Sequence, residues 1–332
     1  MKKIGIIGCG GIAHVHAWVL AGMERVKISV LCDTDRTHAE EIALDYAPEA
    51  EIVTNWESLL DGDLDAVHIC TPHALHAPMA KAFLEHGKAV FCEKPSAVST
   101  EQFEGLVFSD RAHPGKLGFC FQNRYNETTR LMDRLVAEGR IGAVLGARGF
   151  VTWRRDADYY AAGPWRGRPE TAGGGALINQ SIHTLDLLLR YCGEPDLVKS
   201  TVATHHLPEL AVEDTVEAWM SFPDGKRACF YASNGYAKDA PVLIEIQGEQ
   251  GRICMNGQEV TLYRDGAAPE HFLCEQERGI GKDYWGCGHK ACIRDFYRAL
   301  DTGERYPNDL QGTAATFRAM MEIYREGRRD CG

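Results

Sequence analysis

Residues 4–13 read IGIIGCGGIA, and this stretch decides the fold of the first part of the chain. The apolar run at its start is typical of a buried strand, and Ile12–Met23 has a helical pattern. Between them, Gly8-x-Gly10-x-x-Ala13 has small residues where a dinucleotide-binding strand–turn–helix unit needs them. Gly8 permits the tight turn, Gly10 lets the backbone approach a pyrophosphate, and Ala13 allows close packing of helix and strand.

The helix that follows this glycine loop offers free N–H groups and the positive end of its dipole to a diphosphate. Asp33 lies 20 residues beyond Ala13, at the end of the next predicted strand, where a carboxylate accepts hydrogen bonds from a ribose. A carboxylate there repels a 2′-phosphate, so NAD(H) is preferred, although Arg36 could hold a phosphate and leaves NADP(H) possible. The predicted cofactor residues of this region are Gly8, Gly10, Gly11, Ile12, Ala13, Asp33 and Arg36.

Outward from this unit, short apolar runs alternate with helical patterns as far as Leu117–Phe121. Strands that are apolar on both faces and separated by helices indicate a doubly wound parallel sheet. After that the pattern changes to a helix, a loop rich in Gly, Pro and aromatic residues at 154–175, a helix at Ala176–Tyr191, and a series of alternating strands. At about 150 residues per domain, the 332 residues correspond to two domains. The change of pattern predicts a Rossmann domain over 1–121 and a mostly antiparallel α+β domain over 122–332.

Polar residues follow the predicted parallel strands at the points where these end, and the carboxyl ends of parallel strands form the ligand crevice. Thr71 and Pro72 could line the cofactor there or simply make a turn. The residues assigned to this edge are Cys70, Thr71, Pro72, His76, Glu93, Lys94 and Gln122, with Arg124 just beyond.

Charge and composition exclude several classes of function. The chain has 36 Lys and Arg against 47 Asp and Glu, a formal net charge of −11, which disfavours nucleic acids and anionic membranes as partners. No apolar stretch reaches the roughly 18 residues of a membrane span, and the short N-terminal apolar run lacks a signal-peptide cleavage pattern.

The 12 cysteines indicate reduced thiols and a cytoplasmic location rather than a disulfide scaffold. We expect those in apolar runs to be small core residues: Cys32, Cys70, Cys92, Cys120 and Cys229. Cys9 and Cys70 are expected close to the cofactor. The pair Cys287 and Cys292 lacks a second ligand cluster, so no metal site is predicted, although His289 between them could reach the substrate cleft.

Taken together, these motifs resemble the Gfo/Idh/MocA family of oxidoreductases over nearly the whole chain. The resemblance rests on Gly8-x-Gly10-x-x-Ala13, Thr71-Pro72, Glu93-Lys94-Pro95 and Gly173-Gly174-Gly175-x-Leu177-x-Asn179-x-x-x-His183-x-x-Asp186. It implies a second domain with an open-faced sheet and pyridine-nucleotide-dependent oxidation or reduction of a sugar, cyclitol or related carbinol. It also implies homodimers or homotetramers joined through that open face.

The candidate catalytic residues are Lys94, His183 and Asn179. Hydride transfer belongs to the nicotinamide, so the protein must hold the carbinol and move one proton. A lysine at a strand end and a histidine can both exchange that proton. Asn179 stands where many family members have Asp; since an amide cannot take the proton, we assign it to substrate binding. Asn179-Gln180 resembles the subgroup with UDP-N-acetylglucosaminuronate 3-dehydrogenases and sugar ketoreductases.

The aromatic loop before Gly173 supplies further candidates. Tyr159, with Tyr160 beside it, offers an aromatic face to a sugar, and Trp165-Arg166 resembles a family element near the nicotinamide. Packing within the loop is an equally good interpretation. Arg124 could bind an anionic substrate group or only a backbone carbonyl. A non-catalytic NAD-binding sensor and a glycosidase that uses tightly held NAD remain alternatives for the whole chain.

Overall fold

A computed structural model of the chain describes residues 1–274, 280 and 287–327. Two compact units make up the chain: Met1–Tyr125 with Glu277–Thr313, and Asn126–Gln276 with Ala314–Gly332. The helix His289–Thr302 is thus grouped with the first unit, whereas the sequence-based division counted it in the second. Within the described ranges, no helix has both the length and the apolar composition that a membrane span requires.

The first unit is built on a six-stranded sheet in which every pairing is parallel. Its strands are β1 Lys2–Ile7, β2 Val26–Cys32, β3 Glu51–Val53, β4 Ala66–Ile69, β5 Ala89–Glu93 and β6 Leu117–Cys120. They lie in the order β3-β2-β1-β4-β5-β6, so the order in which strands are added reverses between β1 and β4 and leaves a crevice at the strands' carboxyl ends. The predicted doubly wound parallel sheet is confirmed.

The α-helices that lie wholly within the described part of this unit are α1 Gly11–Ala21, α2 Arg36–Tyr46, α3 His76–Glu85, α4 Thr100–Ala112 and, numbered α9 in chain order, His289–Thr302. Side chains cap two of them, since Asp35 accepts a hydrogen bond from the N–H of Thr37 and Ser99 from that of Gln102. β4 and β5 are buried at every residue, as a sheet covered on both faces requires.

The helix α9 is part of the first core because its aromatic side chains pack on the sheet. The ring of Phe296 lies 5.1 Å from that of Phe91 on β5. A Cβ on Gly118 of β6 would come within 2.6 Å of Phe296, so a larger residue there would push the helix away. The sequence pattern does not predict that the chain returns to the first unit here, because a single amphipathic helix does not indicate which sheet it covers.

The second unit contains an eight-stranded sheet in the order β14-β13-β12-β11-β7-β10-β9-β8. The strands are β7 Val144–Thr152, β8 Leu197–Ala203, β9 Thr215–Ser221, β10 Arg227–Ser233, β11 Leu243–Gly248, β12 Gly251–Asn256, β13 Glu259–Arg264 and β14 Glu270–Leu273. All pairs are antiparallel except β7 with β10, which confirms the mostly antiparallel sheet.

The helices of the second unit are α5 Glu127–Ala137, α6 Ala157–Ala161, α7 Pro169–Ala172, α8 Ile182–Cys192 and most of α10 Leu310–Gly327. Gly149 of β7 lets α8 approach the sheet closely, since a Cβ there would lie 2.8 Å from Cγ2 of Thr184. The segment 154–175, which was predicted as a loop, contains two short helices, α6 and α7.

The helix predicted over Ala176–Tyr191 is present, but Ala176–Ser181 is a π-helical segment and the α-helix starts only at Ile182. The prediction for Cys229 is wrong. Cys229 is exposed rather than part of the core. It alternates with the buried residues Ala228 and Phe230 on β10, so the strand's period of two turns its side chain to the other face of the sheet.

Candidate functional site

The glycine loop after β1 depends on Gly8 for its shape. Gly8 has φ +82°, in the left-handed region that favours glycine. A Cβ at this position would lie 2.7 Å from the carbonyl oxygen of Cys70, at the end of β4. Gly8 thus allows the loop to lie against the neighbouring strand end, which is the tight turn that the motif predicts.

Gly10 differs from Gly8, because a side chain at Gly10 would face open space. It is the N-cap residue of α1 and is exposed, and a Cβ built on it would meet no protein atom within 4 Å. No side chain caps the helix, and its first turn has no acidic residue. A dinucleotide diphosphate fits such a helix start, since uncapped N–H groups and the helix dipole both favour an anion.

Asp33 joins the end of β2 to the same loop. Its Oδ2 accepts a 2.7 Å hydrogen bond from the N–H of Cys9, and its Oδ1 accepts one of 2.9 Å from the N–H of Asp35. The side chain of Arg36, by contrast, donates to the Glu40 carboxylate at 2.9 Å and to the carbonyl of Ile52 at 3.4 Å.

The thiols expected near the cofactor are buried and unbridged. Cys9 lies within the loop and is 1% exposed, with its Sγ 3.6 Å from the carbonyl oxygen of Cys32. Burial, together with the nearby charge of Asp33, raises the pKa of the Cys9 thiol to about 12. Burial likewise raises the pKa of Cys70 well above its usual range. Both are core thiols with little thiolate character at neutral pH.

His76 links the loops that follow β4 and β5. Its Nε2 lies 2.8 Å from the carbonyl oxygen of Thr71, and its Nδ1 lies 2.9 Å from that of Pro95. Burial lowers the pKa of His76, although both carbonyl contacts oppose this shift. The ring therefore ties Thr71-Pro72 to the segment that carries Lys94.

Lys94 follows Glu93, the last residue of β5, at the carboxyl edge of the sheet. The Lys94–Pro95 peptide bond is cis. The N–H of Lys94 donates to Oε2 of Glu93 at 3.2 Å. Burial is the main cause of the lowered pKa values of His76 and His289, and the positive charge of Lys94 lowers them further. The same charge helps to lower the pKa of Glu93, whose burial acts in the opposite direction.

A buried cluster that the sequence analysis missed lies around Glu93. Oε1 of Glu93 is 3.1 Å from Nε2 of His16, and Nδ1 of His16 is 2.8 Å from Nδ1 of His68. His16, Glu93 and Cys120 offer ligand-type atoms within 4.8 Å of one another. His16 and Glu93 already bind each other, and burial raises the pKa of the Cys120 thiol well above its usual range, so a hydrogen-bonded pair describes the cluster better than a cation site.

Gln122 and Arg124 lie just beyond β6. Gln122 is buried, with its Oε1 3.9 Å from the Cys120 thiol. The guanidinium of Arg124 donates to the side chain of Asn308 at 3.1 Å and to the carbonyl of Gly312 at 3.0 Å. Of the two alternatives for Arg124, these contacts correspond to the one in which it binds backbone carbonyls.

In the second unit, Tyr159 is the centre of a polar group. Its hydroxyl oxygen accepts hydrogen bonds from the side-chain amides of Asn179, at 3.3 Å, and Gln180, at 2.9 Å. Asn234 donates to Oε1 of Gln180 at 3.3 Å and to the hydroxyl of Tyr160 at 3.1 Å. The structure thus brings two predicted residues, Tyr159 and Asn179, together and adds Gln180 and Asn234.

The cations of the aromatic loop stack on its rings. The guanidinium carbon of Arg166 lies 4.6 Å from the centre of the Tyr159 ring and 5.7 Å from that of Trp165. Arg166 also donates to the carbonyl of Tyr159 at 3.1 Å. These contacts fix the loop from within, which is the packing interpretation, and both Arg166 and Trp165 keep part of their surface exposed.

Glu213 holds the start of the π-helical segment. Its carboxylate accepts hydrogen bonds from the N–H groups of Gly175, at 2.8 Å, and Leu177, at 3.0 Å, and from the hydroxyl of Tyr324, at 2.8 Å. A Cβ on Gly174 would collide with the Tyr324 hydroxyl, which explains a glycine there. Burial raises the pKa of Glu213 despite these three donors.

His183 and Asp186 lie on α8, after this segment. His183 is buried, with 8% of its surface exposed. Asp186, the last residue of the glycine-rich motif, accepts a 2.6 Å hydrogen bond from the hydroxyl of Thr316 on α10. Asn179 and His183 therefore belong to two different helical segments, so their spacing of four residues does not by itself place them on one α-helical face.

Comparisons with known proteins agree with the geometry. Residues 2–114 match the model of an oxidoreductase family described as an NAD-binding Rossmann fold, and residues 129–254 match the GFO/IDH/MocA C-terminal domain. A 1,5-anhydro-D-fructose reductase from Ensifer adhaerens is 32% identical over 259 residues, 76% of this chain and 75% of the relative. An inositol 2-dehydrogenase from Rhizobium meliloti is 27% identical over 333 residues, 98% and 91% of the two chains.

Solved structures share the fold over the full length. The WlbA dehydrogenase from Bordetella pertussis, in complex with NADH and UDP-GlcNAcA, superposes with a TM-score of 0.85 at 24% identity. The match covers 98% of this chain and 96% of that one.

Proposed function

Because the chain belongs to the Gfo/Idh/MocA family of NAD-binding oxidoreductases, we propose that it transfers a hydride between NAD(H) and one carbinol or ketone carbon of a sugar, sugar derivative or cyclitol. The names of its relatives support this substrate class, since they include an inositol dehydrogenase and an anhydrofructose reductase.

The reaction requires one hydride and one proton to leave the carbinol in the oxidising direction. When bound, the nicotinamide supplies the hydride acceptor. The hydroxyl proton passes to the amine of Lys94 or the imidazole of His183, and the C–O bond becomes a carbonyl. In the reducing direction the same groups return the proton to the carbonyl oxygen. Asn179 orients a hydroxyl group through its donor and acceptor atoms.

One observation carries this proposal. Lys94 follows β5 at the same edge of the sheet as the glycine loop and Asp33. The carboxyl edge of such a sheet is where a dinucleotide and its substrate meet. A lysine amine at this edge can hold or release a proton next to the reacting carbon.

We propose NAD(H) as the preferred cofactor and NADP(H) as a possible one. The Asp33 carboxylate lies beside the N–H of Cys9, where a 2′-phosphate would bring a second negative charge. Arg36 would have to leave Glu40 to compensate for that charge. The residues proposed around the nicotinamide end are Thr71, Pro72, His76, Glu93, Lys94, Gln122, Trp165 and Arg166.

A panel of sugars, sugar nucleotides and cyclitols, each tested with NAD and with NADP, examines the proposal directly. We expect NADH formation with at least one member of the panel and a lower rate with NADP. Tight NAD binding without turnover of any member would favour a sensor instead. Release of sugar from an aryl glycoside without net NADH would favour a glycosidase.

We further propose that the second sheet joins copies of the chain through its exposed face. Trp219 is 42% exposed and pairs across the strands with the exposed Cys229. Aromatic side chains of this kind are enriched in interfaces. Light scattering should give a dimer or tetramer mass, and Trp219→Glu should lower it.

We also propose a cytoplasmic location, because the unbridged thiols of Cys9, Cys32 and Cys70 suit a reducing compartment.

A further inference from the structure

Four buried side chains form a continuous hydrogen-bonded chain through the first unit. The hydroxyl of Tyr297 lies 2.9 Å from Nε2 of His68, and Nδ1 of His68 lies 2.8 Å from Nδ1 of His16. Nε2 of His16 then lies 3.1 Å from Oε1 of Glu93. None of the four is more than 7% exposed. The chain ends one residue before Lys94.

The positions of the protons along this chain are restricted. Burial, and the neighbouring charge of His16, lower the pKa of His68 well below its usual range, so this ring is neutral. The two facing Nδ1 atoms can share only one proton. If His68 donates it, His16 is neutral and keeps a proton on Nε2. If His16 donates it, His16 is either a cation or a neutral ring whose Nε2 accepts from a protonated Glu93. The last arrangement needs a neutral carboxyl, which the lowered pKa of Glu93 excludes at neutral pH. In the other two, Nε2 of His16 donates to Glu93.

Glu93 is therefore held as an anion. Burial alone would raise the pKa of its carboxyl, but the hydrogen bond and charge of His16, with the charges of His289 and Lys94, hold it well below the usual range. His289 has its own pKa lowered to about 4, chiefly by burial. Among the described residues, Glu93 also acts on His76, whose pKa burial lowers. It acts as well on the thiols of Cys70, Cys92 and Cys120, whose pKa values burial raises well above the usual range.

We propose that Tyr297, His68 and His16 are positioning residues that keep Glu93 ionised beside Lys94, and that this buried anion sets the proton affinity of the Lys94 amine. A carboxylate near an ammonium group stabilises its protonated form. The anion thus favours the protonated form of the Lys94 amine. A buried ionic group contributes little to stability compared with apolar packing. Its placement beside Lys94 gives it a role in the reaction.

This inference rests on the proposed function for its consequence in catalysis, but its test does not. The pH dependence of Lys94 acylation by an amine-selective reagent, read by mass spectrometry of the Lys94 peptide, measures the proton affinity of the amine without any substrate. The test compares wild type with Glu93→Gln, which keeps an acceptor for His16 and removes the charge. Glu85→Gln, an exposed substitution of the same kind, is the control.

We expect the midpoint of Lys94 acylation to fall by about one pH unit or more in Glu93→Gln, the size of shift that a nearby opposite charge causes. Glu85→Gln should keep the wild-type midpoint. An unchanged midpoint in a folded Glu93→Gln protein would overturn the inference. If turnover survives in Lys94→Ala, the proposed function fails. The comparison of acylation midpoints still decides whether Glu93 sets the proton affinity of the Lys94 amine.

A second measurement needs no variant, in case Glu93→Gln does not fold. Carbon-13 NMR of the Glu93 carboxyl in the wild-type protein reports its ionisation directly. We expect the carboxylate to stay ionised at pH values below about 4.3, the ordinary pKa of glutamate. Protonation at or above that value would show that His16 does not hold the anion, and would overturn the inference.

Discussion

The backbone N–H of Cys9 donates a 2.7 Å hydrogen bond to Oδ2 of Asp33, so the glycine loop and the acidic end of β2 form one unit. The carboxylate therefore has two tasks, to hold the loop and to present a negative charge. Asp33→Asn separates these tasks, because an amide oxygen can still accept from Cys9 while the charge is lost.

We expect Asp33→Asn to bind NADPH more tightly relative to NADH by about tenfold, or ~1.4 kcal/mol. The reason is the removal of repulsion toward a 2′-phosphate. Fluorescence titration with both reduced cofactors measures the ratio. Asp45→Asn, on the exposed side of α2, should leave it unchanged. An unaltered ratio in Asp33→Asn would show that this carboxylate does not select the cofactor.

Gly8 and Gly10 provide a matched pair of variants. Gly8→Ala forces a positive φ and a contact of 2.7 Å with the Cys70 carbonyl, so it should lower the free energy of unfolding by roughly 1–3 kcal/mol. Gly10→Ala meets nothing within 4 Å and should leave stability unchanged, yet abolish NADH binding by filling the space for the diphosphate. Urea unfolding and NADH titration test the pair. Wild-type affinity in Gly10→Ala would contradict the assignment of the loop.

Tyr159→Phe removes the oxygen to which Asn179 and Gln180 both donate. Loss of this shared acceptor frees the Asn179 amide from its orientation. A hydrogen bond is worth about 1 kcal/mol, so we expect KM for the sugar substrate to rise about fivefold to tenfold, with NADH affinity unchanged. Tyr236→Phe, at an exposed tyrosine of the same unit, serves as control. Equal KM values in the two variants would show that Tyr159 does not contribute to substrate binding.

The ionisation of Asp214 should make the free energy of unfolding depend on pH in the acid range. Burial opposes its ionisation, but N–H groups of His205 and His206 and the Thr215 hydroxyl donate to it and lower its pKa. Because the folded-state pKa is lowered, the stabilisation is present above the unfolded pKa of about 3.9 and disappears as pH falls through the folded value.

Asp214→Asn should therefore cost about 1–3 kcal/mol at neutral pH through lost acceptor capacity. The difference from wild type should shrink as pH falls below about 4. Urea unfolding across that pH range measures it, with the exposed Asp265→Asn as control. A difference that stays constant with pH would mean that the charge of Asp214 does not stabilise the fold.

Local patterns explain which parts of the fold were predictable. The glycine loop, Asp33 and the strands of the first sheet other than β3 follow from residues close in sequence, and these were predicted. The strands β3 and β14 were missed because three and four residues are too few to show a period. The π-helical segment was missed because apolar spacing does not distinguish it from an α-helix.

The site was predictable only where it is local. Lys94 was proposed from its motif, but the hydrogen-bonded side chains that end at Glu93 lie far apart in sequence. Glu93 and His16 are 77 positions apart, His16 and His68 are 52 apart, and His68 and Tyr297 are 229 apart. A buried histidine in an apolar strand gives no sign of such partners in the sequence. Glu213 was missed for the same reason, since its donors, Gly175 and Leu177, lie more than 30 residues earlier.

The role of Lys94 in proton transfer is the central claim, and Lys94→Ala tests it most directly, with Lys81→Ala on the exposed face of α3 as the control. Turnover of the sugar identified by the substrate panel and NADH affinity are measured side by side on both variants. Loss of the proton-transferring amine should lower kcat by about 10²–10⁴-fold while NADH affinity stays within about twofold of wild type, since about 0.4 kcal/mol separates such values. Wild-type kcat in Lys94→Ala, with NADH binding intact, would contradict the account.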